Sequence, residues 1–305
     1  MLIDQKLATA DEPVFSFEFF PPKTDEGEQN LRAALSALRE LEPDFVSVTY
    51  GAAGSTRGLT LELTKWIKQE LGIEAMAHLS CVGATRDELC VILDSLADAG
   101  IENVLALRGD PPRGQTEWQP HPGGLRYSSD LVGLIAERYP MSIGGACFPE
   151  VHPEAVDLAS DLHFLKRKVE AGASFLITQV FLDNDAYFRF VEEARAAGID
   201  VPIIPGIMPI TDVGQIKRFT DMCGACIPES LLAQLEKRAP FPNEVLQLGV
   251  SYATLQCAEL LARGAPGIHF YTLNRSPATR AILAALRLSR PWERALGGFG
   301  AVAAV

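Results

Sequence analysis

No stretch of the sequence approaches about 18 uninterrupted apolar residues, so no transmembrane helix is expected. The N-terminal residues MLIDQKLATADEP lack a basic start followed by an apolar run and do not read as a signal peptide. Positive charge is scarce: 27 Lys and Arg stand against 39 Asp and Glu, a formal net charge of −12. A surface that acidic repels nucleic-acid phosphates and anionic membranes, so neither is an expected partner. An anionic ligand needs only a local basic pocket and stays possible. No two of the five histidines stand at i, i+4 and there is no HExxH motif, so no metal site is expected. The six cysteines are scattered and nothing suggests export, so they are expected to be reduced thiols in the cytoplasm. Cys223-Gly-Ala-Cys226 has a redox or zinc spacing, but no second ligand pair stands nearby, so it reads as two semi-buried thiols at a loop or helix end.

What is present is an ordinary globular balance, 48% hydrophobic and 22% charged over 305 residues. One local pattern recurs: a helical stretch ends at Gly, a short apolar run follows, then a polar or turn residue. It appears at Gly72, Gly100, Gly172 and Gly198, and more loosely from Gly264 to Arg275. Such a Gly takes the left-handed conformation that stops a helix. The continuous apolar run after it is what a strand buried on both faces looks like. Eight candidate strands result: Val14–Phe19, Phe45–Thr49, Ala75–Leu79, Val104–Leu107, Ser142–Cys147, Phe175–Gln179, Pro202–Pro205 and Gly267–Tyr271. Strands alternating with helices imply a parallel sheet. Eight such units favour a closed (β/α)8 TIM barrel, read as a single catalytic domain over 1–305. An open doubly wound sheet is the second choice, because the glycine-rich GxGxxG turn usual after its first strand is missing. An extra helix is expected within Cys223–Pro242, before a long helix Asn243–Arg263 and the last strand. Pro111–Ser129 reads as a long loop after strand four, and 290–305 as a loosely ordered tail.

In a β/α barrel the active site lies at the C-terminal ends of the strands. Glu18, Thr49 with Tyr50, His78, Arg108 with Asp110, Phe148 through His152, Gln179, and Tyr271 with Asn274 and Arg275 stand there. That ring of polar groups points to an enzyme without saying which. Glu18 lies inside the aromatic run FSFEFFPP, so it is either paired with a cation or held protonated as a donor. Asp110, by itself, reads as a turn former before Pro. Two acidic groups in different surroundings on one mouth can divide acid and electrostatic roles. His78 and His152 are ligand candidates, whereas His269, inside a strand, reads as a satisfied core histidine. Lys166-Arg167-Lys168 is either a solvated helix face or a local phosphate site. No lysine stands at a predicted strand end, which argues against a Schiff-base lyase.

The strings FEFFPPK, FVSVTYGA, HLSC, ALRGDPP, FPEVHPE, LKRKVEAGA, FLITQVFLD, IIPGIMPI and FYTLNR, in that order from about Phe15 to Arg275, together resemble bacterial methylenetetrahydrofolate reductases. The resemblance implies a flavin-containing barrel in which NADH or NADPH reduces FAD and leaves. Methylenetetrahydrofolate then takes the hydride and becomes 5-methyltetrahydrofolate, a methyl source for methionine synthesis. The reaction could also run in the oxidative direction. A homo-oligomer is expected. By its length the chain is expected to be the bacterial catalytic form, without the C-terminal regulatory domain of eukaryotic members.

By position, the resemblance makes Glu18 the general acid and Asp110 the acidic residue near flavin and pterin. Thr49 falls at a nicotinamide position. Tyr50, Ala52, His78, Arg108, Gly109, Ser128, Phe148, His152, Ala155, Asp161, Arg167 and Lys168 fall at flavin positions. Arg167 and Lys168 are expected to hold the pyrophosphate, and Asp161 to accept from ribose. Gln179 serves nicotinamide and folate in turn, while Gln215, Phe219 and Arg275 fall at folate positions. Two residues depart from the pattern: Phe148 replaces a tyrosine and Phe164 an asparagine. The family has distant flavin-independent members, so a folate-binding or methyl-transferring barrel without flavin is the alternative.

Overall fold

The apolar runs become parallel strands, and the stretches between them become helices laid against the sheet. A computed structural model of the protein describes residues 1–22, 24–50, 57–110, 119–274 and 277–296. The strands are β1 (Val14–Phe19), β2 (Phe45–Val48), β3 (Ala75–Ser80), β4 (Asn103–Leu107), β5 (Ser142–Cys147), β6 (Phe175–Thr178), β7 (Ile203–Ile204), β8 (Gly206–Ile207) and β9 (Gly267–Tyr271). Those that begin the chain pair in sequence from β1 to β7, and β1 also pairs β9, which pairs β8. Every pairing is parallel.

The seventh strand of the barrel is the one that differs from expectation. It is split at Pro205 into β7, which pairs β6, and β8, which pairs β9. Proline has no N–H to give a ladder, while its carbonyl still accepts from the His269 N–H at 2.9 Å. Handing the strand from one neighbour to the other at Pro205 brings the sheet round into a barrel.

The helices are α1 (Ile3–Thr9), α2 (Asp25–Arg39), α3 (Arg57–Gln69), α4 (Arg86–Asp98), α5 (Ser128–Arg138), α6 (Leu158–Glu170), α7 (Asn184–Ala196), α8 (Val213–Cys223), α9 (Glu229–Arg238), α10 (Pro242–Ala262), α11 (Pro277–Ser289) and α12 (Pro291–Leu296). Thr85 closes a capping box with Glu88 at the start of α4, and that reciprocal bonding satisfies two orphan donors. Gly72, Gly100, Gly172, Gly198 and Gly264 all take positive φ, as helix stops require. The extra helix before the last strand is α9. The stretch after Arg290 begins with a helix rather than an irregular tail: α12 buries Trp292, whose ring centroid lies 5.9 Å from that of Phe15. By length and composition α10 would suffice to cross a membrane. Here it is barrel wall, burying Val245, Ala253, Cys257 and Leu260. Its Gly249 approaches the Ile210 carbonyl so closely that a Cβ would fall 1.8 Å from the oxygen.

Side chains alternate across each strand. Phe15, Phe17 and Phe19 join the large core between sheet and helices. Val14 faces inward, with Phe45, Met76, Leu105, Phe175 and Ile204, in a second core inside the barrel. Helix α1 plugs the N-terminal end of this inner core with Ile3. The Ile3 N–H donates to Asn103 Oδ1 at 2.9 Å and the Asp4 N–H to Ser142 Oγ at 3.0 Å. The interior is therefore sealed and apolar at the bottom. On the same parity, the next inward residues of β1 are Ser16 and Glu18, and the barrel turns polar toward its open end.

Candidate active site

The parity and register of β1 and β9 assemble the centre of the mouth. Ser16 pairs His269, and Glu18 pairs Tyr271. The Ser16 hydroxyl lies 2.8 Å from His269 Nδ1. With that hydroxyl donating to Nδ1, the imidazole proton sits on Nε2. His269 Nε2 faces Glu18 Oε2 at 3.6 Å, and His78 Nε2, from β3, faces the same oxygen at 3.5 Å. Both Nε2 atoms are buried and have no closer hydrogen-bond partner. Tyr271 stands edge-on to His269, centroids 5.3 Å apart, and donates its hydroxyl to the Thr178 carbonyl at 2.7 Å.

The aromatic run that frames Glu18 in sequence faces the other side of the sheet, so the carboxyl meets imidazoles and not apolar rings. Burial pushes Glu18 up, but the contact with His269 and the two facing imidazoles outweigh it and hold the carboxyl below its ordinary range. Burial takes His78 down to about 4 despite the attraction of Glu18. His78 is thus uncharged at neutral pH. The Glu18 side chain is 20% exposed, so the carboxyl opens on the mouth. Of the two readings open for Glu18, the structure favours neither in its simple form: its partners are imidazoles in place of a fixed cation, and its proton affinity is depressed where a donor in an apolar pocket has it raised. His269, expected to be a satisfied core residue, is fully buried and bonded to Ser16, but its Nε2 has no hydrogen-bond partner and faces Glu18. The available signal was the alternation of polar residues, Ser16 and Glu18 on one strand, His269 and Tyr271 on another.

Beyond β4, Arg108 is held by Glu154 from the loop after β5, with Nη2 at 2.8 Å from Oε1. Gly109 has φ 85, and a Cβ there would fall 2.4 Å from Val82 Cγ1, so only glycine fits the turn that presents Asp110 at the surface. After β5, the half-buried Phe148 ring meets His152 edge-on at 4.5 Å. The His152 N–H donates to Asp161 Oδ2 at 2.9 Å, its Nδ1 accepts from the Glu154 N–H at 3.0 Å, and its carbonyl accepts from the Ala155 N–H at 2.8 Å. Burial lowers the His152 imidazole. Ser128 opens α5 on the same side.

The basic run on α6 does not form one patch. Lys168 Nζ turns up against β5 and donates to the Ala146 carbonyl at 2.6 Å. Burial lowers its pKa, with Cys147 and Asp161 pulling the other way. Arg167 is exposed, because consecutive helical residues point about 100° apart. The structure brings together His152, Asp161 and Lys168, and turns Arg167 to the exposed face of the helix. Phe164 is 54% exposed on the same helix.

On the opposite rim, Thr49 donates its N–H to the Phe19 carbonyl at 2.8 Å, with Tyr50 half-buried beside it. Gln179 follows β6, and its Oε1 accepts from the Val180 N–H at 2.9 Å. Gln215 and Phe219 stand i, i+4 on α8 and so share one face. Phe219, Tyr271 and Leu273 border one apolar cluster with Val180, Met208 and Ile210. Ala52 and Arg275 lie outside the described residues. Cys223 is buried at the end of α8 and Cys226 is exposed. Among the described residues no group of three or more His, Cys, Asp or Glu gathers as a metal site would.

Cavities border the fold at both ends among the described residues. One of about 780 Å³ opens at the mouth beside Phe20, Pro22, Leu273 and Asn274, against α2. Another, of about 460 Å³, lies near the closed end between α1 and α12. Its Lys6, Arg287 and Arg290 are paired with Asp44, Glu42 and Glu12.

The family model described as methylenetetrahydrofolate reductase matches residues 2–287. The 5,10-methylenetetrahydrofolate reductase of Salmonella typhimurium is 43% identical over 282 residues, covering 92% of this chain and 93% of its own. Methylenetetrahydrofolate reductase (NADH) 1 of Arabidopsis thaliana is 39% identical over 299 residues, covering 92% of this chain and 50% of its own. The chain thus spans about half the length of the plant relatives it matches. Among solved structures, an uncharacterized protein from Clostridium thermocellum that binds two copies of 5-methyl-5,6,7,8-tetrahydrofolic acid has a TM-score of 0.66 at 18% identity, covering 95% of this chain and 99% of that one. At that identity the likeness shows a shared barrel fold.

Proposed function

The chain belongs to the methylenetetrahydrofolate reductase family, and on that premise we propose that it reduces 5,10-methylenetetrahydrofolate to 5-methyltetrahydrofolate with a reduced nicotinamide nucleotide as electron source and FAD as carrier. The names of the plant relatives support NADH as the reductant. The overall reaction consumes one hydride and one proton. The proton opens the five-membered ring by taking the N10 lone pair, and the hydride then adds to the methylene carbon of the resulting iminium. A site for this reaction needs a proton source beside the folate.

The observation that carries the reading is Glu18 at the floor of the mouth, with two imidazole Nε2 atoms on one carboxyl oxygen. With the mouth open the carboxyl is held low. A pterin seated over the mouth removes solvent from its exposed fifth, and desolvation raises a carboxyl. Glu18 then takes up a proton as substrate binds and gives it to N10, while His269, oriented by Ser16, stabilises the carboxylate left behind.

The residues present fit a flavin dinucleotide. The donor set His152, Asp161 and Lys168 combines a ribose-type acceptor with an ammonium that has two N–H donors beyond its bond to Ala146. Phe148 offers a half-exposed ring. Arg108, Gly109, Ser128 and Ala155 complete that wall. When bound, the flavin supplies hydride transfer between the nicotinamide and the folate. Asp110, exposed at the lip, disfavours negative charge on the reduced ring and can accept from pterin donors. Gln179 has an amide that donates and accepts, which suits the two heterocycles in turn. Gln215 and Phe219 form the folate face of α8. The product is a methyl donor of the kind methionine synthesis uses.

The experiment is direct. The purified protein is expected to be yellow and to release FAD on denaturation. A colourless protein that does not reconstitute with FAD overturns the flavin reading and leaves a folate-binding or methyl-transferring barrel.

A further inference from the structure

The geometry points to Asn274, with Thr272, as the positioning residues that hold Glu18 over the barrel mouth by replacing the strand ladder beyond β1 and β9. This inference rests on the reductase reading of the same site.

The backbone pairing of β1 with β9 ends at Glu18 and Tyr271. Past that point the β9 chain turns away through two consecutive left-handed residues, Leu273 at φ 51 and Asn274 at φ 58. Such a conformation is uncommon for leucine and tolerated by asparagine. In place of backbone bonds, side chains take over. Thr272 Oγ1 donates to the Glu18 carbonyl at 2.6 Å. Asn274 Oδ1 accepts from the Phe20 N–H at 3.0 Å, and its Nδ2 donates to the Phe20 carbonyl at 2.8 Å. The Asn274 N–H returns to Thr272 Oγ1 at 3.1 Å, locking the two together. One carboxamide thus imitates a peptide group of a neighbouring strand, and it needs both a donor and an acceptor to do so.

Packing does not supply the same hold. On the α2 side, Phe20 and Pro22 border the cavity of about 780 Å³, and Phe20 is 41% exposed. Pro21 and Pro22 have no N–H with which to anchor the loop. Among the described residues a further tie is the Thr49 N–H to the Phe19 carbonyl at 2.8 Å, from β2. The clamp also joins the two halves of the proton pair. Glu18 stands on β1 and His269 on β9, so loosening the β1–β9 end alters their separation of 3.6 Å. Misplacing a catalytic group by about 1 Å can cost on the order of a hundredfold in rate.

The test uses the flavin-loaded enzyme and follows the two half-reactions separately by stopped flow: reduction of the flavin by NADH, and its reoxidation by methylenetetrahydrofolate. Asn274→Asp keeps an acceptor for Phe20 N–H but sets a carboxylate against the Phe20 carbonyl. Thr272→Val removes the hydroxyl at nearly constant volume, and Thr272→Ser restores it. Asn274→Asp and Thr272→Val are expected to slow reoxidation roughly tenfold to a hundredfold, to move the pH profile of that step, and to leave flavin reduction within about twofold. Thr272→Ser is expected to recover most of the rate. Equal loss in both half-reactions, an unmoved pH profile, or no loss at all overturns the inference. If Asn274→Asp does not fold, the Thr272 pair decides alone. A wild-type enzyme that binds no flavin, or is not reoxidised by the folate, fails the reductase reading itself and is thereby distinguished from failure of the clamp.

Discussion

His269 Nε2 lies 3.6 Å from Glu18 Oε2, although the two residues stand near opposite ends of the chain. The β1–β9 pairing that closes the barrel creates this contact. The imidazole nitrogen is buried and the Glu18 side chain is partly exposed at the floor of an open mouth, and that is where the proposed chemistry needs a proton.

Glu18→Gln keeps the shape and removes the exchangeable proton. Flavin reduction by the nicotinamide is expected to stay within a few-fold, while folate reduction falls on the order of a hundredfold to ten-thousandfold. Single-turnover measurements of each half-reaction check this, and equal loss in both refutes the acid role.

The buried imidazole of His78 makes stability depend on pH. Its folded-state pKa, about 4, lies below its ordinary 6.5. Between those values the unfolded chain binds more protons than the native one. The contribution is therefore complete above about pH 6.5 and is lost as pH falls toward 4. It amounts to roughly 3 kcal/mol. Glu18, held low, weakens the fold in the same direction on acidification. Melting temperature measured from pH 7 to pH 4 is expected to fall, and His78→Asn to flatten the curve. An unchanged slope in that variant removes His78 as the cause.

The two basic residues assigned to the flavin pyrophosphate are expected to behave differently. Lys168 sits with Asp161 and His152, whereas Arg167 is exposed on the next face of α6. Lys168→Gln is expected to weaken FAD binding by about tenfold or more, the loss of a charge-assisted contact. Arg167→Gln is expected to change it by about threefold or less. Titration of the apoprotein with FAD separates them, and equal weakening places Arg167 in the site after all.

Much of the barrel was legible in the sequence because it is encoded locally. Short apolar runs, amphipathic stretches and glycine stops report the conformation of the residues that carry them. Val14–Phe19, Ser142–Cys147 and Gly267–Tyr271 are strands at the expected boundaries. Once the barrel is known, the strand ends name Glu18, His78, Arg108 and Gln179 as mouth residues. The splitting of the seventh strand at Pro205 was foreshadowed only by the missing N–H.

Tertiary structure alone decided the rest. That Ser16, Glu18 and His269 meet depends on which residue of β1 lies beside which residue of β9, and a shift of one residue would turn every side chain to the other face. That Glu18 faces imidazoles and not the phenylalanines beside it in sequence follows from the same alternation. That Lys168 turns against β5 while Arg167 is exposed follows from the helical turn between them. The sequence by itself determined which segments are strands and helices, and which chemical groups stand near their ends. Register, parity and the closing of the sheet determined which of those groups touch, because contacts between distant segments are set by packing and not by either segment alone.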